Sequence, residues 1–127
     1  MTGGDPADDV APSAAARRGA LGRDGEDTAA AWYEEHGYEV LERNWRRREG
    51  EVDLIARQGR TVVFCEVKFR RSSAYGHPAE AVTRDKQQRL RRLAALWMFQ
   101  SARRWREVRF DVVAITGDRM EVLTSAW

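Results

Sequence analysis

Residues 38–71 hold three strand-like segments separated by connections too short to contain a helix. "YEVLERNW" (38–45), "EVDLIAR" (51–57) and "VVFCEVKFRR" (62–71) are joined by "RRREG" (46–50) and a turn signal, "QG", at 58–59. Three consecutive strands with such connections can only run up and down beside one another, so this part of the chain predicts an antiparallel meander. The third segment also poses a chemical question. Its alternate residues Val62, Phe64, Glu66 and Lys68 share one face, so a face that starts apolar ends in an acid and a base.

The flanking sequence supplies helices. From Leu21 to His36, Gly22, Gly25, Ala29, Trp32, Tyr33 and His36 fall on one stripe at helical spacing, with Glu26 at its edge and Gly37 as the C-cap. After the loop "RRSSAYGHP", a short helix is expected at 79–82. Thr83 then caps a long helix reaching about Gln100, with Lys86, Gln87, Leu90, Leu93, Ala94 and Trp97 inward. "VRFDVVAIT" (108–116), a "GD" turn and "MEVLT" (120–124) add two strands. The expected class is α/β, a central mixed sheet flanked by helices. The 127 residues divide into a disordered tail at 1–19, rich in Gly, Ala, Pro, Ser and Asp, and one domain over 20–127.

Composition narrows the setting. Cys65 is the one cysteine, which excludes an intrachain disulfide and predicts a reducing, cytoplasmic location. No apolar run approaches membrane-spanning length and the N-terminus shows no apolar signal region, so no membrane partner is expected. Of 22 basic residues, only Lys68 and Lys86 are lysine. An ammonium shifts its pKa readily and arginine does not, so each lysine is a candidate for chemistry.

Charges inside a core need partners or a metal. Glu51 and Asp53 share a face of the second segment, and Asp53 lies on the strand neighbouring Glu66. A hairpin centred on the 58–59 turn does not set Asp53 directly opposite Glu66, so their convergence requires the strands to splay or bulge. Two carboxylates beside a lysine suit a hard divalent cation, Mg²⁺ or Mn²⁺, that polarises a phosphodiester and activates water. Glu26 adds a further carboxylate, and Lys86 or Gln87 can reach a scissile phosphate. Glu51 reads as a solvated strand residue sooner than as a ligand. Asp111 reads as half of a structural salt bridge sooner than as a group approaching the site, His36 as structural, His77 as a loop residue that can touch substrate, and Cys65, Trp32 and Tyr33 as core. As an isolated motif, Glu66-x-Lys68 is equally a surface ion pair.

"GEVDLIARQGRTVVFCEVKFR" resembles the core of the restriction-endonuclease-like nuclease superfamily: an acid, a spacer, then Asp/Glu-x-Lys. With "AYGHPAEAVTRDKQQRLRRLA" and "RFDVVAI", the chain more closely resembles the YraN-like family of small bacterial proteins, similar in outline to archaeal Holliday-junction resolvases. Val52 stands where the superfamily often has proline. The resemblance implies a restriction-endonuclease-like fold and a metal-dependent endonuclease or resolvase-type nuclease acting on structured DNA. Asp53, Glu66 and the Val67 carbonyl would bind metal, Lys68 would assist the attacking water, and Glu26 and Gln87 would complete the catalytic set.

Nine basic residues against two acids between 84 and 109, with Arg43 and Arg46 to Arg48 at the first turn, suit phosphate. Arg70, Arg71, Lys86, Arg91 and Arg92 are the expected DNA contacts. DNA is the expected partner, with a homodimer left open. The alternatives are a non-catalytic nucleic-acid-binding module of the same fold and an adaptor whose arginine face binds an acidic protein.

Overall fold

The computed structural model describes residues 14–70 and 82–127, with side chains from Gly25 onward. The elements are α1 (Ala14–Glu35), β1 (Glu39–Arg47), β2 (Gly50–Gln58), β3 (Thr61–Arg70), α2 (Arg84–Gln100), β4 (Glu107–Thr116) and β5 (Arg119–Leu123). The five strands form one mixed sheet in sequence order, with only the β3–β4 pair parallel. The α/β class and the β1–β2–β3 meander are as expected. Parallel pairing of β3 and β4 follows from the helix between them, which carries the chain back across the sheet.

One helix boundary differs from the expectation. Helix α1 begins at Ala14, inside the predicted tail, because "AAARRGA" has strong helix formers but no apolar stripe to announce it. The rest of that tail, His77, Arg71 and the predicted short helix apart from Val82 lie outside the described residues.

Each face of the sheet is covered by one helix. On one side Ala29, Ala30 and Tyr33 of α1 pack on Leu54, Ala56, Val63, Cys65, Val67 and Val113. On the other, Leu90, Leu93, Ala94 and Trp97 of α2 pack on Val62, Phe64, Phe110 and Val112. Thr83 caps α2 as expected, accepting from the Lys86 N–H at 3.2 Å. Gly37 ends α1 at φ +88°, a conformation that costs glycine nothing.

The β2–β3 turn is Gly59–Arg60, one residue later than "QG". The ladder therefore runs from Gln58↔Thr61 to Leu54↔Cys65. Moving the turn centre by one residue moves every partner by two, and brings Asp53 and Glu66 into line as the next facing positions. Pairing stops there.

Candidate functional site

The end of the β2–β3 ladder is a fork. Val52 packs with the α2 cluster and so does Ile55, whereas Leu54 packs with the α1 cluster. Regular alternation would put Val52 and Leu54 on one face, so one step is lost between them, at Asp53. On β1, Asn44 faces Asp53, between the pairs Arg43↔Leu54 and Trp45↔Val52, and it holds φ +54°. Asparagine tolerates this left-handed conformation better than most residues. The sheet thus bends across two strands at the level of Asp53.

The freed backbone donor finds a side-chain acceptor. The Val67 N–H donates to Asp53 Oδ2 at 2.7 Å. That bond pins the Asp53 carboxylate between β2 and β3. Glu26 of α1 approaches from one side and accepts from Asn44 Nδ2 at 2.9 Å. Glu51, two residues before Asp53, completes a trio: one carboxylate oxygen from each of Glu26, Glu51 and Asp53 lies within 4.8 Å of the others.

Such crowding has an electrostatic signature. Asp53 is pushed up to about 7, by burial first and by the Glu66 charge next, with Glu51 and Glu26 adding to both and the Val67 N–H opposing. Near neutral pH Asp53 is therefore only partly ionised, and a bound cation would favour its charged form. All three donors are carboxylate oxygens, the set preferred by hard divalent cations.

Glu66 stands beside this trio. It is buried, and both lysines of the chain reach its Oε2, Lys86 Nζ at 2.7 Å and Lys68 Nζ at 3.4 Å. Burial lowers the Lys86 pKa, but the Glu66 hydrogen bond and charge, helped by Asp53, outweigh it and hold the ammonium above its ordinary value. The site combines a trio of like charges with an adjoining acid neutralised by two ammonium groups.

Several of the expected residues have partners within the protein. Lys86, expected at a phosphate, lies 2.7 Å from Glu66 Oε2 and is the nearer of its two ammonium partners. Gln87 Nε2 donates to the Val82 carbonyl at 3.1 Å and so anchors the entry to α2. The Arg70 side chain is only 9% exposed and turns to Glu121 at 3.6 Å, so it offers little to a phosphate. Arg91 lies over the Phe110 ring at 5.2 Å, while Arg92 is exposed. Asp111 does form the structural pair, with Arg109 at 2.9 Å.

Two participants were missed. Glu51 belongs to the trio although its face reads as solvated; its separation of two from Asp53 was the available signal. Asn44 had none, since a left-handed residue inside a strand is not marked by its neighbours.

Among the described residues, no helix is long and apolar enough to cross a membrane. The sequence pattern of the Uncharacterised protein family UPF0102 matches residues 25–115, which include every member of this site. A UPF0102 protein of Rhodococcus opacus is 59% identical over 96 residues, 76% of this chain and 81% of its own length. Another, from Beutenbergia cavernae, is 57% identical over 100 residues, 79% of this chain and 85% of its own. A third, from Frankia casuarinae, is 50% identical over 97 residues, 76% of this chain and 82% of its own. On these matches the chain belongs to the UPF0102 family.

Proposed function

We propose that this protein is a metal-dependent endonuclease or resolvase-type nuclease acting on structured DNA, built on a restriction-endonuclease-like fold. The observation that carries the reading is the fork itself. A broken ladder, with Asp53 bonded to the Val67 N–H, holds three carboxylates together beside a lysine-bound Glu66. A fold that needed only stability would not gather surplus negative charge where two strands part.

Glu26, Glu51 and Asp53 would hold Mg²⁺ or Mn²⁺, with Glu66 and the Val67 carbonyl adjacent. When bound, that ion supplies polarisation of a phosphodiester and activation of water. The chain's own residues do the rest. The Val67 N–H and Asn44 orient two of the carboxylates. Lys68 and Lys86 present ammonium groups at Nζ that bind a phosphate oxygen or stabilise charge developing on it.

The test is cleavage of duplex, flap and four-way-junction DNA across a Mg²⁺ and Mn²⁺ titration. Asp53→Ala and Glu66→Ala are expected to abolish cleavage. Lys68→Ala is expected to slow it about 10²- to 10³-fold, with no rescue by Lys68→Arg. Equal cleavage by wild type and Asp53→Ala would remove the site assignment. A non-catalytic nucleic-acid-binding module has one observation in its favour: Glu66 Oε2 is already occupied by two ammonium groups. Wild type that binds these substrates and cuts none at any metal concentration decides for that module.

A further inference from the structure

Phe99, in the last turn of α2, is 88% exposed, the most exposed large apolar side chain among the described residues. Basic residues from two distant segments lie near the end of the same helix. Arg47 Nη2 donates to Gln100 Oε1 at 3.4 Å, which draws the "RRR" segment of the β1–β2 hairpin alongside the end of α2. Immediately after α2 the chain turns sharply. The Ser101 N–H caps the helix, the Arg103 N–H donates to Ser101 Oγ at 3.2 Å, and Trp105 packs back on Trp97 at 5.8 Å. With Trp105 anchored in the core, Arg103 and Arg104 remain at the surface beside the helix end.

The charge there is unbalanced. Arg48, Arg103 and Arg104 are exposed and have no acidic partner among the described residues. Arg47 is committed to the Trp45 ring, 4.4 Å away, rather than to a carboxylate. Of the neighbouring acids, Glu51 is paired with Arg46, Glu107 accepts from Thr61, and Glu49 is exposed.

We propose that Phe99 and the flanking arginine segments form a platform for an unpaired nucleic-acid strand, the ring stacking on a base and the guanidinium groups binding the phosphates on either side. The proposal rests on the nucleic-acid reading above and names the kind of structure the substrate must offer. A bare ring among unpaired arginines is the combination that single strands recognise. A paired duplex hides its base faces, so the ring would have nothing to stack on. One phenylalanine gives a protein partner far too little apolar area for a stable interface.

The platform also connects to the acidic centre. Arg46 pairs with Glu51 of the trio at 3.4 Å, and the next residue, Arg47, bonds the neighbour of Phe99.

The test is fluorescence anisotropy with a labelled 12-nucleotide oligo-dT and with a blunt duplex, both in EDTA so that no metal or cleavage is involved. Phe99→Ala is expected to weaken single-strand binding about 5- to 100-fold while leaving duplex binding unchanged. Phe99→Trp is expected to retain it. Arg103→Ala with Arg104→Ala is expected to flatten the slope of log affinity against log salt by about 1 to 1.5. Because Phe99 is so exposed, its substitution leaves the core intact, which an unchanged melting temperature verifies. Single-strand affinity that is absent in wild type, unchanged in Phe99→Ala, or lost in parallel with duplex affinity overturns the platform. If Phe99-dependent binding holds and no metal supports cleavage, the nuclease reading alone falls.

Discussion

Asp53 and Asp111 occupy the two strands that flank β3, and both are withdrawn from solvent, yet their surroundings are opposite. Asp111 has no exposed surface and is fully matched. It accepts from Tyr33 Oη at 2.6 Å, from Arg109 Nε and Nη2 at 2.9 Å each, and from the Ser125 N–H at 3.0 Å. Its partners are tuned in return. Burial pushes the Tyr33 hydroxyl far above its ordinary value, with Cys65 and Asp111 adding to it, and the Asp111 hydrogen bond holds Arg109 above the usual arginine range. Asp53 accepts one N–H and is otherwise faced by Glu66, Glu51 and Glu26. A buried acid with every lone pair answered is a structural joint. One hemmed in by like charges is a joint only when something else supplies the positive charge. The comparison separates a carboxylate that holds the fold from one that the fold holds.

The largest expected effect falls on the structural acid. Asp111→Ala leaves the Arg109 guanidinium and the Tyr33 hydroxyl buried without their acceptor. The expected cost is about 3–5 kcal/mol in urea unfolding, the usual penalty for removing one partner of a buried pair. Asp53→Asn is expected to leave stability unchanged or raise it near pH 8, since it removes a charge from a crowded site. Equal destabilisation by the two substitutions would erase the distinction.

The pH dependence sharpens the contrast. Asp53 titrates at about 7 in the folded chain against 3.8 when unexposed to these neighbours. Between those values the folded state keeps a proton that the unfolded state has lost. Stability from this group therefore falls as pH rises from about 4 to about 7, then levels off. At about 1.4 kcal/mol per pKa unit the upper bound is about 4 kcal/mol. The measurable form is a difference: wild type loses stability across that window relative to Asp53→Asn, and the two curves run parallel above pH 8. Parallel curves throughout would show that the crowding has no energetic consequence.

How far the sequence reveals these two regions differs too. The element order, the meander, the Thr83 cap and the core stripe of α2 were legible, because each depends on local periodicity or on a neighbour a few residues away; on α1, Ala29 and Tyr33 are buried as expected, whereas His36 of the same stripe is exposed. Asp111 reads from the sequence as half of a salt bridge, and the structure supplies Arg109, two residues before it, as the other half. The fork was not. Its register depends on whether the turn is "QG" or Gly59–Arg60, a one-residue matter that decides what faces Asp53. Strict alternation assumes a flat strand, and the bend at Asn44 and Asp53 breaks that assumption. The scarcity of lysine was the better guide: it singled out two residues from opposite ends of the β3–α2 connection, and both meet at Glu66.

That meeting gives the smallest and most discriminating test, because the two ammonium groups bind the same oxygen unequally. Lys86 lies at hydrogen-bond distance from Glu66 Oε2 and Lys68 lies 0.7 Å farther away, 3.4 against 2.7 Å. Both lysines are about one-third exposed, so solvent screens part of each interaction. Lys86→Met removes the closer partner of a buried carboxylate and is expected to cost about 1–3 kcal/mol. Lys68→Met leaves that closer partner in place and is expected to cost no more than about 1 kcal/mol. If both are structural, the losses follow that order and neither variant changes nucleic-acid affinity. If Lys68 is retained for chemistry, its substitution barely moves the unfolding midpoint and still removes most of the cleavage rate. Glu66 then belongs with Asp53 rather than with Asp111: its charge is balanced by one lysine, and the other is left to face the substrate.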